Sequence, residues 1–144
     1  MATTTKKKII IDSSVIVKWL LSHNEQNLKQ AHSLLTHIKK GQVECFTPEL
    51  AKYEIGNAIL NKKISNDIAE LAFSTFYRLP IRFISETNKA ATYAYQLAED
   101  HRITYYDAAF MALAKEQDAP LVTDNVKHQA KSKEVKVVAL KDYK

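Results

Sequence analysis

The chain has 144 residues, 46% of them apolar, one cysteine and a formal net charge of +5. That length and apolar content suit one folded domain with its own core and exclude an intrinsically disordered chain. The lone cysteine excludes an intrachain disulfide, the five histidines lack zinc-ligand spacing, and two glycines are too few for a Gly-rich phosphate loop.

The charge is unevenly spread. Residues 1–8 carry three lysines and no acid, and residues 127–144 carry six lysines against two acids. The stretch between them holds twelve basic and fourteen acidic residues. Basic ends around an acidic middle suit a polyanion approached through bound cations, although lysine-rich ends also serve simply as solubilising tails. No apolar run approaches the roughly 18 residues of a membrane span, and the N-terminal stretch is too short for a signal peptide. A cytoplasmic protein without a membrane is the expectation. Residues 1–144 are read as a single domain, its core over about residues 9–140, behind a short Lys-rich tail.

In chain order, residues 9–12 read as a buried strand and residues 13–21 as a short helix with Val15, Ile16, Trp19 and Leu20 on its apolar side. Residues 25–40 repeat Leu28, Ala31, Leu34, Leu35 and Ile38 at helical spacing, and Gly41 stops that helix. A second strand covers residues 43–46, with Cys45 as a buried, inert thiol. Thr47 and Pro48 then read as N-cap and N1 of a helix reaching Asn61. Ser65 opens a further helix with Ile68, Leu71, Ala72, Thr75 and Phe76 inward, and Pro80 leads into a strand at residues 81–84. Helices follow at residues 88–101 and 105–117, the second capped by Thr104. Strands at residues 121–123 and 135–140 close the chain, with a turn or short helix near residues 127–131 between them. Strands alternating with helices predict an α/β fold whose mainly parallel central sheet is flanked by helices.

Such folds place ligands at the carboxyl ends of their strands, and four acids fall at suitable points. Asp12 ends the apolar run Ile9, Ile10, Ile11, with Ser14 placed to orient it; an acid there also caps the next helix. Glu54 belongs to a helix face shared by residues 50, 54, 57, 58 and 61 that is expected to pack, with Asn57 one turn on. Asp107 sits among Tyr105, Tyr106, Ala108, Ala109 and Phe110, where it gains from the helix dipole; the two tyrosines are expected in the core ahead of a rim or base-stacking place. Asp124 closes the strand Leu121, Val122, Thr123 and precedes Asn125; Thr123 is placed to steer a carboxylate, while Asp124 and Asn125 also suit a plain polar turn. Together the four acids suit Mg²⁺ or Mn²⁺, which take oxygen ligands and activate water.

These segments resemble the PIN-domain family, in particular the small VapC-like toxins of toxin–antitoxin pairs. The resemblance runs over about residues 9–140. Residues 9–20 resemble the first motif and carry its acid onto Asp12; residues 48–58 resemble the second, with Glu54; residues 103–109 resemble the third, with Asp107. In the fourth, Thr123-Asp124-Asn125, strict alignment puts Asn125 at the acid's position, and a one-residue shift puts Asp124 there; Asp124 is preferred for its carboxylate. The resemblance implies a PIN-like three-layer fold and a Mg²⁺- or Mn²⁺-dependent endoribonuclease acting on RNA. It further implies a small antitoxin partner and a homodimer. Alternatives are a PIN-like nuclease of RNA maturation or DNA processing, and a catalytically weak RNA-binding or scaffolding protein.

Overall fold

The computed structural model describes residues 6–21, 26–129 and 132–144, without the side chains of residues 127 and 128. Its elements run β1 (Lys7–Ile11), α1 (Ser13–Leu20), α2 (Leu28–Lys39), β2 (Val43–Pro48), α3 (Leu50–Asn61), α4 (Asn66–Arg78), β3 (Ile81–Ile84), α5 (Asn88–His101), α6 (Tyr105–Gln117), β4 (Leu121–Thr123), α7 (Val126–Gln129) and β5 (Val137–Ala139), closed by a 3₁₀ turn at Leu140–Asp142. Among the described residues the strands form one sheet in the order β3-β2-β1-β4-β5, and every pairing is parallel. The expected α/β architecture, a parallel sheet between helical layers, is therefore present.

The alternation within β1 explains the two layers. Successive strand residues face opposite sides of the sheet. Ile9 and Ile11 pack into one cluster with Val15, Ile16, Leu34, Ile55 and Phe76, drawn from α1 to α4. Ile10 packs into the other with Phe46, Ala94, Phe110, Met111 and Leu121, where α5 and α6 lie. All three isoleucines are essentially fully buried, each contributing about 2–3 kcal/mol of apolar burial.

The helix starts are local. Ser65 Oγ accepts from Ile68 N, Thr87 Oγ1 from Ala90 N, and Thr104 Oγ1 from Asp107 N at 3.0 Å, caps worth about 1 kcal/mol each. Gly41, at φ +73°, donates its N–H to the Ile38 carbonyl and ends α2 as read from the sequence. Glu25, where that helix was expected to begin, lies outside the described residues, as do residues 130 and 131 of the expected turn.

Four expectations need correction. Thr47 is not a helix cap: it is buried in β2, and its hydroxyl donates to the Ile11 carbonyl at 2.8 Å. Pro48 ends the strand, and α3 begins at Leu50 with Glu49 as a cap residue whose side chain caps no backbone N–H and pairs instead with Lys52 Nζ at 3.0 Å. On α4 only Ala72 and Phe76 are buried; Ile68, Leu71 and Thr75 are exposed because the helix lays a narrow stripe on the core. On α3 the packing face is Ala51, Ile55 and Ile59, which leaves Glu54, Asn57 and Asn61 on a neighbouring, more open face. The last strand spans only Val137–Ala139, since its sole partner among the described residues, β4, offers three residues to pair with.

Candidate active site

β1 is the central strand. The chain moves from it to β2 and β3 on one side, then crosses to β4 and β5 on the other. A crevice opens at the carboxyl edge where that order reverses, between β1 and β4. Asp12 follows β1 directly, and Thr123 ends β4.

Asp12 is almost entirely buried and heavily bonded. Its Oδ2 accepts from Ser14 N at 3.1 Å, Ser14 Oγ at 2.6 Å and Thr123 Oγ1 at 3.2 Å. Its Oδ1 accepts from Gln129 Nε2 at 3.3 Å. The acid thus serves as N-cap of α1, one of the two roles read from sequence, and is also locked in one orientation. These donors are all neutral, so among the described residues dipoles solvate its charge.

Glu54 reaches the same crevice from α3. Ser13 Oγ donates to its Oε1 at 2.9 Å, tying α3 to the start of α1. Its pKa is raised, first by burial and then by the negative charges of Asp12 and Asp107, while the Ser13 bond acts in the opposite direction. The three acids, from segments about 40 to 95 residues apart in the chain, therefore share one electrostatic neighbourhood. Asp107 is half-buried in the first turn of α6, and its N–H is taken by Thr104.

Asp124 behaves differently. Its carboxylate pairs with Lys18 Nζ at 3.2 Å and accepts from Asn27 Nδ2 at 3.2 Å, while its N–H donates to Ser14 Oγ. Asn125 donates its N–H to Thr123 Oγ1. Asn57 is exposed one turn beyond Glu54.

Sequence reasoning missed three residues here. Ser13 holds Glu54, and Gln129 holds Asp12 with an Oε1 that is buried and has no hydrogen-bond partner among the described residues. Lys18, 4% exposed, neutralises Asp124 and donates to the Gln26 carbonyl at 2.7 Å. A lysine inside the apolar run from Val15 to Leu20 was a readable signal, because a buried ammonium needs a partner. Gln129, inside a polar run, gave none. Tyr105 and Tyr106, expected in the core, are 38% and 61% exposed.

The donor set suits a hard divalent cation in kind: carboxylate, hydroxyl and amide oxygens, with acid charge that raises a neighbouring pKa. Among the described residues, no three His, Cys, Asp or Glu side chains are gathered closely enough to grip a metal as they stand.

A parallel sheet in the order 3-2-1-4-5, with acids at its carboxyl edge, defines an α/β protein with an oxygen-lined crevice at its switch point. The sequence matches the PIN domain over residues 9–134, and the chain belongs to the PIN-domain family. It is 27% identical over 124 residues to ribonuclease VapC3 of Pyrobaculum aerophilum, spanning 81% of this chain and 88% of that protein. Its fold is similar to that of VapBC2 from Rickettsia felis, solved with a promoter DNA fragment, at TM-score 0.72 and 14% identity, covering 92% of this chain and 98% of that one. It is also similar to Mycobacterium tuberculosis VapC20, described as a sarcin–ricin loop cleaving toxin, at TM-score 0.65 and 16% identity over 89% of this chain and 98% of that one. Among the described residues no helix is long and apolar enough to cross a membrane.

Proposed function

We propose that the protein is a divalent-metal-dependent endoribonuclease and the toxin of a toxin–antitoxin pair. The observation that carries this reading is the placement of Asp12, held by Ser14, Thr123 and Gln129 at the end of β1, beside Glu54, held by Ser13, with Asp107 near enough to act on Glu54's charge, in a PIN-domain chain. Asp12, Glu54 and Asp107 would hold Mg²⁺ or Mn²⁺. Such a cation, when bound, lowers the pKa of an attacking water and stabilises charge on the phosphate.

The chain's own residues prepare that site. Ser14, Thr123 and Gln129 fix both oxygens of Asp12, so little orientation remains to be lost on binding. Ser13 fixes Glu54 Oε1, which leaves Oε2 to carry the proton whenever Glu54 is neutral. Asp124 is the fourth acid by position; with its charge already balanced by Lys18, it contributes less to cation affinity than the other three.

The similarity to a ribonuclease and to structures of toxin–antitoxin complexes supports RNA as substrate, a small antitoxin as partner and work in the cytoplasm. The exposed Leu60, Ile68, Leu71 and Phe73 on α3 and α4 support a protein-binding face, as a homodimer or antitoxin contact requires. A second reading, a catalytically weak RNA-binding domain, is favoured by the spacing of these acids, which among the described residues leaves no three close enough to grip a metal as they stand. A nuclease of RNA maturation or DNA processing differs from a toxin in one assay: expression of a toxin arrests growth unless its partner is co-expressed.

The test is cleavage of total RNA and a tRNA panel in Mn²⁺ or Mg²⁺ by the wild type and Asp12→Asn, with EDTA controls. Asparagine caps helices as well as aspartate does, so the variant should fold. The proposal expects discrete, EDTA-sensitive cuts that the variant does not make. Absence of cutting by folded, antitoxin-free wild type would favour the binding reading.

A further inference from the structure

The two helices that carry Glu54 and Asp107 share a local pattern: each acid directly follows a tyrosine, Tyr53 on α3 and Tyr106 on α6. The tyrosines do not join the core. Tyr53 is 80% exposed and Tyr106 61% exposed, large apolar surface left in water beside a polar crevice. Both line one open cleft of about 540 Å³ with Leu50, Glu54 and Asn57. Tyr105, the neighbour on α6, is committed elsewhere: its hydroxyl donates to Glu86 Oε2 at 2.8 Å.

We propose that this cleft is a nucleobase subsite, in which Tyr53 and Tyr106 stack on a base of the RNA strand next to the phosphate that a cation bound at the acids would hold. The inference rests on the nuclease reading and deepens it. Glu54 is itself part of the cleft wall, so an occupant lies beside the acid site. Two aromatic rings provide π-faces that any base can stack on, and the volume is that of a small-ligand cleft. Asn57, one turn after Glu54, offers a donor and an acceptor for a base edge. Leu50 closes the apolar side. A planar heterocycle with a hydrogen-bonding edge matches this lining. Unpaired RNA, whose bases can be splayed from the strand, supplies one beside every phosphate. Tyr53, Tyr106 and Asn57 are therefore specificity-determining residues that bind substrate without taking part in bond cleavage.

The experiment begins with cuts mapped in total RNA with wild-type protein and Mn²⁺. The RNA segment spanning a cut is then synthesised intact and with a single abasic ribose at each position flanking the cut. Steady-state KM and kcat are measured for wild type, Tyr53→Ala, Tyr106→Ala and the corresponding Phe variants. Removing one stacked base is expected to raise the wild-type KM between about fivefold and a hundredfold at one position. On intact RNA each Ala variant should raise KM by a factor in that range, each Phe variant should restore it, and the penalty should vanish on the abasic substrate. Equal penalties on intact and abasic RNA, or none on either, would overturn the subsite while leaving the nuclease reading in place. A change in sedimentation of the Ala variants with unchanged KM would reassign the tyrosines to a contact between copies of the chain. If the wild type makes no metal-dependent cut, the nuclease reading falls and this inference with it.

Discussion

Replacing Glu54 by Gln should stabilise the metal-free protein at neutral pH. Glu54 is only partly buried, its pKa is raised by burial and by Asp12 and Asp107, and Ser13 bonds its Oε1. A raised carboxylate pKa means that folding favours the protonated acid. The stabilisation this gives is complete below the ordinary carboxylate value of 4.5 and is lost as pH rises through the folded value. At pH 7 the ionised acid is thus a net burden, which Gln removes while keeping an oxygen for Ser13. With the exposed part discounted for screening, the gain is on the order of 1 kcal/mol. That corresponds to a rise in Tm of about 3 °C for a chain of this size. Thermal unfolding in EDTA at pH 7 and at pH 4 measures it: the gain should be present at pH 7 and shrink at pH 4, where both proteins are largely neutral at this position. Added Mn²⁺ should reverse the order at pH 7, because a ligand at about a hundred times its dissociation constant adds about 2.7 kcal/mol to the protein that binds it. A Glu54→Gln variant less stable than wild type in EDTA at pH 7, or equally favoured at both pH values, would refute the account of mutual repulsion.

Other residues give equally definite expectations. Lys18→Met removes a buried ammonium from Asp124 and from the Gln26 carbonyl; with Asp124 partly exposed, the loss should be about 2–3 kcal/mol, read as a lower midpoint in urea unfolding. An unchanged midpoint would mean the pair adds nothing. Gln129→Leu deletes the donor to Asp12 Oδ1 together with the unpaired Oε1, so stability should change little while Mn²⁺ affinity falls about 10- to 100-fold, as for lost partners of metal ligands. Unchanged affinity would remove Gln129 from the site.

The parts of the fold legible in the sequence were those decided within a few residues. The run Ile9 to Ile11 announced a buried strand, Gly41 a helix end, and Thr104 a cap, because burial and hydrogen bonding there are local. Thr47 and Pro48 misled because a Thr-Pro pair has the same local chemistry at a helix start and at a strand end. What decided between them was the Ile11 carbonyl, 36 residues away in sequence. Ile68 and Leu71 look like core by periodicity, and only the width of the stripe that α4 lays on its neighbours leaves them outside. At the site, the acids were visible because a carboxylate at a strand end or in an apolar helix stands out. Their supports were not, since Ser13 and Gln129 act through bonds to Glu54 and Asp12 that cross 41 and 117 residues. Asp124 shows the same limit: its sequence position marks it as a candidate acid, but its charge is spoken for by Lys18, from α1.

The central claim is that acids from three separate segments act as one cation site. Calorimetric titration of Mn²⁺ into the metal-free wild type and into Asp12→Asn, Glu54→Gln, Asp107→Asn and Asp124→Asn addresses it directly. The account predicts saturable binding by the wild type, loss of most of it in each of the first three variants, and a smaller loss in Asp124→Asn. Wild-type protein that takes up no Mn²⁺, or binding that survives all of the first three substitutions, would contradict it.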